Sequence, residues 1–214
     1  DRVGKLAKIT YHNKIGNQLE RVERIRILAR EIAERTHANT IHADRAALLA
    51  KADLVTAMVG EFPELQGIMG RYYALADGES PEVAEAIEQH YWPRFSGDMI
   101  PTSAMNACVA LADKLVLLVG IFGIGEPPTG EKDPFALRRS ALGLLRILVE
   151  GNVAVDLRSL IERTATLFAD PGISDSSAMF LRQEWDEKIK GQGGLQSFGY
   201  VATGIVVSAD MQVA

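Results

Sequence analysis

Two carboxylates, Asp53 and Asp113, stand inside otherwise apolar helical stretches, and His90 lies near the end of another. A carboxylate in apolar surroundings needs a cation, a hydrogen-bond network or a metal ion. Ion pairing with Lys51, Lys114, His90 or an arginine from a neighbouring helix would satisfy both. The sharper chemistry is a divalent ion held by Asp53, His90 and Asp113. That donor set is thin, because the chain has four histidines and none is followed directly by aspartate.

A second kind of chemistry is anion recognition. Lys132, Arg138 and Arg139 form the densest local basic cluster, with Arg146 two turns further on. Arg71-Tyr72-Tyr73 and Tyr91-Trp92-Pro93-Arg94 each set arginine beside rings that can stack on bases, although core packing is the better account of such rings at these helix positions. The run Gly123 to Lys132 has glycines spaced as in a phosphate loop. However, Glu131 stands where the lysine belongs, and Pro127 and Pro128 remove N–H donors, so a structural turn is expected. The sequence offers no nucleophile elbow and no cysteine pair, hence no complete catalytic site.

The elements that must position these groups read as helices. Ile15, Leu19, Val22, Ile25, Ala29 and Ile32 recur at three- and four-residue steps, with Glu20–Arg24 and Glu31–Arg35 in favourable i,i+4 order on the other face. Asp44 is the expected cap of a helix from Arg45 to about Val59. A further helix is expected over roughly Glu64 to Leu75, where Gly67 and Gly70 predict close approach by a neighbour. Ser80-Pro81-Glu82 starts a helix to about Tyr91. Thr102 is the expected cap of a long buried helix through Phe122. Asp133-Pro134 opens a helix to about Val149, and Val153 to Phe168 reads as one more.

The 214 residues carry 23 Lys+Arg against 28 Asp+Glu, a net charge of −5 that excludes a general nucleic-acid binder; any RNA contact must come from a local basic patch. The single cysteine, Cys108, excludes an internal disulfide, fits a reducing compartment and reads as a small buried hydrophobe. The chain opens Asp1-Arg2-Val3 without methionine or signal peptide, as expected of a piece of something longer. The apolar run Ala104 to Gly125 contains Asn106, Asp113 and Lys114, so a core helix is expected and no membrane partner. Residues 1–170 therefore read as one all-α domain. Residues 171–214, rich in glycine and without helical period, read as a tail that is either a short hairpin or poorly ordered.

Several long strings resemble the β subunit of the bacterial-type, heterotetrameric glycyl-tRNA synthetase. They are Lys51 to Thr56, Met58 to Gly70, Tyr91 to Phe95, Ala110 to Leu115 and Gly120 to Gly125, with Pro128-Thr129-Gly130 and Lys132 to Arg139. Asn13-Lys14-Ile15-Gly16 and Val22 to Ile25 add to them, and the resemblance runs from about Tyr11 to Phe168. It implies a helical bundle similar to the HD-domain superfamily, whose enzymes hydrolyse phosphate esters with a histidine- and aspartate-bound divalent ion. In that pattern Ala52-Asp53 stands where a His-Asp doublet would be, His90 corresponds to an intermediate histidine and Asp113 to the final aspartate. The pattern is degenerate, so neither metal nor other cofactor is expected on this stretch.

The resemblance also implies a cytoplasmic ligase of protein biosynthesis. Its α subunit binds glycine, ATP and magnesium, and its β subunit supports recognition of glycine tRNA and assembly. On that reading this stretch is a non-catalytic helical part, its partners the α subunit, the remaining β subunit and glycine tRNA. Lys132, Arg138, Arg139, Arg71 and Arg94 are the candidate tRNA contacts. An HD-type phosphohydrolase and a purely structural spacer are the alternatives.

Overall fold

A computed structural model describes residues 2–173. The tail expected over 171–214 therefore lies outside the described residues from 174 onward. A 3-10 turn, Val3–Lys8, leads into a small antiparallel ladder of β1 (Thr10–His12) and β2 (Gly16–Asn17). Among the described residues eight α-helices follow: α1 Gln18–Arg35, α2 Thr40–Leu49, α3 Ala57–Glu61, α4 Ile68–Ala76, α5 Pro81–Gln89, α6 Ala104–Gly123, α7 Leu137–Glu150 and α8 Leu157–Phe168. The class is all-α, as the sequence predicts.

The bundle is organised around α6, which packs against α1, α2, α5, α7 and α8. Its length and apolar composition match a membrane span, but it is buried by the surrounding helices, as expected of a core helix. Ser103 rather than Thr102 caps it, accepting from the Asn106 N–H; Thr102 instead bonds Gln89 Oε1 through both its N–H and its hydroxyl. Cys108 is fully buried, its thiol donating to the Ala104 carbonyl at 3.0 Å.

Local signals set several boundaries, and tertiary demands moved others. Ser80 caps α5 as expected, with Pro81 in its first turn. The single helix expected from Arg45 to Val59 is instead three pieces: α2, a 3-10 turn Ala52–Val55, and α3 capped by Thr56. Asn39, not Asp44, caps α2. Asp44 lies inside that helix and takes Arg26, with Arg26 Nη2 at 2.9 Å. Asp133 is not the N-cap of α7, a position that falls to Ala136, but its carboxylate still accepts from the Leu137 and Arg138 N–H groups at 2.7 and 3.0 Å. The helix begins three residues later than expected because Ala136 is left-handed. The expected Glu20–Arg24 and Glu31–Arg35 pairs are not made; Glu31 holds Arg163, and Arg35 bonds Ser159.

Arg24 is fully buried with no carboxylate on it. Its guanidinium donates to the carbonyls of Ile15 and Leu167 and lies over the Phe168 ring at 4.4 Å, joining the start of the domain to the last turn of α8. Burial away from water pulls its pKa down to about 10, against the pull of Glu20.

Candidate functional site

The site is built where α1, the segment after α2, the end of α5 and the middle of α6 meet. Asn17 caps α1 by accepting from the Glu20 N–H, which fixes the first turn and with it Gln18 and Arg21. Lys51 follows the end of α2, His90 follows α5, and Asp113 and Lys114 are adjacent on α6; all four are buried.

Asp113 is the hub. Arg21 Nη2 lies 2.8 Å from its Oδ1, and Lys51 Nζ lies 3.2 Å from its Oδ2. The same Lys51 Nζ is 2.7 Å from His90 Nε2, while His90 Nδ1 is 2.6 Å from the Ile87 carbonyl. A carbonyl only accepts, so Nδ1 carries the imidazole proton and Nε2 receives one from the Lys51 ammonium. Lys51 Nζ also stands 4.0 Å from the centre of the Tyr91 ring, and Arg21 lies 4.3 Å over Tyr11. An ammonium thus sits between a histidine nitrogen and an aspartate oxygen, the place a divalent ion would need.

The electrostatics follow from this packing. Burial pushes the Asp113 carboxyl up, but the charges of Arg21 and Lys51 outweigh it and hold the group well below the usual carboxylate range. Burial, reinforced by Lys51, keeps His90 neutral, far below the ordinary imidazole value. Burial also draws Lys51 and Lys114 down to about 8, against the pull of Asp113.

Asp53 faces elsewhere. Its Oδ2 accepts the N–H groups of Gly67 and Gly70 at 2.7 and 3.2 Å, so backbone dipoles rather than a cation answer it, and burial raises its pKa. The expected close approach at both glycines is present: a Cβ on Gly67 would meet the Tyr91 ring at 2.7 Å, and one on Gly70 would meet Ile87 Cγ2 at 2.7 Å and Asp53 Oδ2 at 3.1 Å. Gly70→Ala is therefore expected to cost about 1–3 kcal/mol by overpacking. Urea unfolding monitored by circular dichroism measures it, and a cost below about 0.5 kcal/mol would show that α5 yields freely.

Asp53, His90 and Asp113 do not form a metal site. Among the described residues no group of three His, Cys, Asp or Glu side chains is placed to hold an ion. The donors of His90 and Asp113 are turned on Lys51, and Asp53 on two amides, so the residues present do not fit the metal that the HD pattern implies.

The basic candidates are dispersed. Arg71 pairs with Glu88 at 3.1 Å and Arg94 with Asp98 at 3.0 Å. Arg138 meets Asp133 through its backbone, and Lys132 is exposed on a bridge with Thr129. Arg139 and Arg94 come together, Arg139 Nη1 donating to the Arg94 carbonyl at 3.4 Å, and both line one cavity of about 580 Å³ that Arg21, Lys51, Asp113 and Lys114 also line. Lys51 answers Asp113 as one of the ion-pair partners the sequence offers, although 62 positions separate them; Arg21, 92 positions from Asp113, carried no sequence signal of its own.

Fold and site define an all-α bundle in which one buried carboxylate, Asp113, holds two buried cations beside a cation-lined cavity. The model of the family described as glycyl-tRNA synthetase beta subunit matches residues 1–197, and the chain belongs to that family. The match extends beyond the stretch whose motifs are legible by eye. The chain is 61% identical over 172 residues to the glycine–tRNA ligase beta subunit of Aromatoleum aromaticum, covering 80% of this chain and 25% of that protein. It is 54% identical over 203 residues to the beta subunit of Paracidovorax citrulli, covering 94% and 28%. The beta subunit of Dechloromonas aromatica is 52% identical over 204 residues, again 94% and 28%. The chain thus spans about a quarter of the length of these relatives.

Proposed function

We propose that this chain is a non-catalytic helical part of a glycine–tRNA ligase β subunit, working in the cytoplasm. It supports tRNA binding and subunit assembly while the α subunit supplies the glycine, ATP and magnesium chemistry. The observation that carries the reading is the family match, and the gathering of Arg94 and Arg139 at a cavity whose wall holds three further cations supports the RNA contact. An acidic chain binds a polyanion only through such a local concentration of cations.

The spacer reading has one observation in its favour: Arg71 and Arg94 are already answered by Glu88 and Asp98. A phosphohydrolase has none, because His90 and Asp113 are committed to Lys51.

Titration of the chain against glycine tRNA and an unrelated tRNA over a salt series separates the two. Binding that weakens with salt and favours glycine tRNA is expected. Arg139→Ala should reduce the salt slope by about one with no change in melting temperature. A folded chain that binds neither tRNA at low salt would leave the spacer.

A further inference from the structure

The cavity between the first turn of α1, the segment after α2, the Tyr91 to Arg94 segment and the start of α7 is chemically lopsided. Five cations line it (Arg21, Lys51, Arg94, Lys114 and Arg139), and Asp113 is the one carboxylate among its lining residues. Asp113 is fully engaged by Arg21 and Lys51. Asp98 answers Arg94 from outside the wall, and Asp53 is turned to the amides of Gly67 and Gly70.

That leaves Lys114, only 6% exposed, without a hydrogen bond or ion pair among the described residues. Its stem is threaded through a narrow place: a Cβ on Gly143 of α7 would come within 3.1 Å of Lys114 Cε and 3.2 Å of Pro93 Cγ. Two further lining groups hold unanswered polar atoms, Arg21 Nε and Gln18 Oε1, both buried without a partner. Rotation of the Gln18 amide would offer its NH₂ in place of the oxygen. Buried polar atoms and a buried ammonium left open on a cavity wall are costly unless something enters to meet them.

The entrant must be an anion with several acceptor oxygens. Guanidinium and ammonium donors converging from different elements suit a tetrahedral oxyanion better than a single planar carboxylate. The volume is within the range that holds a nucleotide and far exceeds a bare ion. We infer that this cavity is a metal-independent phosphate-binding site. Lys51 replaces a bound divalent ion between His90 and Asp113, Arg21 and Lys114 receive the phosphate, and Arg94 and Arg139 flank its entry. The phosphate belongs to a free phosphate ion or to the terminal phosphate of a nucleotide or RNA end. The inference rests on the cavity alone and not on tRNA being the partner.

The test is calorimetric titration of the 214-residue chain, in phosphate-free buffer at low salt with EDTA, against inorganic phosphate, adenosine 5′-monophosphate and adenosine. Saturable binding of both phosphates and none of adenosine is expected. Lys114→Gln should weaken phosphate about tenfold, the loss of one charge-assisted contact, while leaving the melting temperature unchanged or higher. Tighter binding of the nucleotide than of phosphate would identify a nucleotide terminus as the source; equal binding would identify phosphate alone. Three results would overturn the inference: no phosphate binding by folded protein, binding abolished by EDTA, or binding indifferent to both Lys114→Gln and Arg139→Ala. Failure of tRNA titration with phosphate binding intact would refute the RNA reading and leave the site standing.

Discussion

Asp113→Ala is expected to destabilise the fold by about 3–5 kcal/mol, the cost of leaving buried charges without their partner. Arg21 and Lys51 both end on this carboxylate, and Lys114 is adjacent to it, so its removal leaves three buried cations facing one another. Urea unfolding gives the size directly. At about 2–4 °C per kcal/mol for a chain of this length, the melting temperature should fall on the order of 10 °C. A loss under about 1 kcal/mol would mean that water, not Asp113, solvates the cations.

The pH dependence has the same origin. Asp113 is held below its ordinary range, so its contribution is complete above about pH 4 and is lost as acid protonates the folded carboxyl. His90 acts earlier. Its folded form stays neutral, so below about pH 6.5 the unfolded chain takes a proton that the folded chain refuses, and stability falls with pH from there. His90→Gln should flatten that first decline.

The second large effect is at Arg24. Arg24→Ala is expected to cost about 3 kcal/mol or more. It opens a cavity beneath Phe168 and strips a donor from the Ile15 and Leu167 carbonyls. Arg24→Met keeps most of the volume and removes the charge, so it should recover part of the loss. Equal losses for the two would assign the whole effect to the carbonyls. Because Leu167 lies in the last turn of α8, the guanidinium also answers the negative end of that helix, which is where a cation is favoured.

The sequence made some of this legible and hid the rest for a physical reason. Caps are local, so Ser80-Pro81 announced α5, and Asp133 marked α7 to within a few residues. Gly67 and Gly70 announced a close neighbour because only a missing side chain admits one. The break between α2 and α3 was not legible: the stretch is apolar nearly all round, and the 3-10 turn there presents Asp53 to amides 14 and 17 residues ahead.

Charges misled most where proximity in sequence suggested a partner. Glu31 matched Arg35 by spacing, yet Arg163, 132 positions away, takes it in the bundle. Asp53 and Asp113 stood out as buried carboxylates needing an answer, and Lys51 and His90 were among the partners on offer. That one ammonium, Lys51, meets both Asp113 and His90 depends on the ends of α2 and α5 coming together on α6, which no local pattern encodes.

Arg24 also sets a condition on biosynthesis. It leaves the ribosome well before its Leu167 acceptor, which is 143 residues downstream. At about 5–20 residues per second that interval is roughly 7–30 s. Throughout it the guanidinium has no mature burial place, and α1 cannot close its N-terminal face without stranding a charge. The domain therefore completes its core only after α8 is made, and a nascent chain halted before α8 is held open by its own arginine.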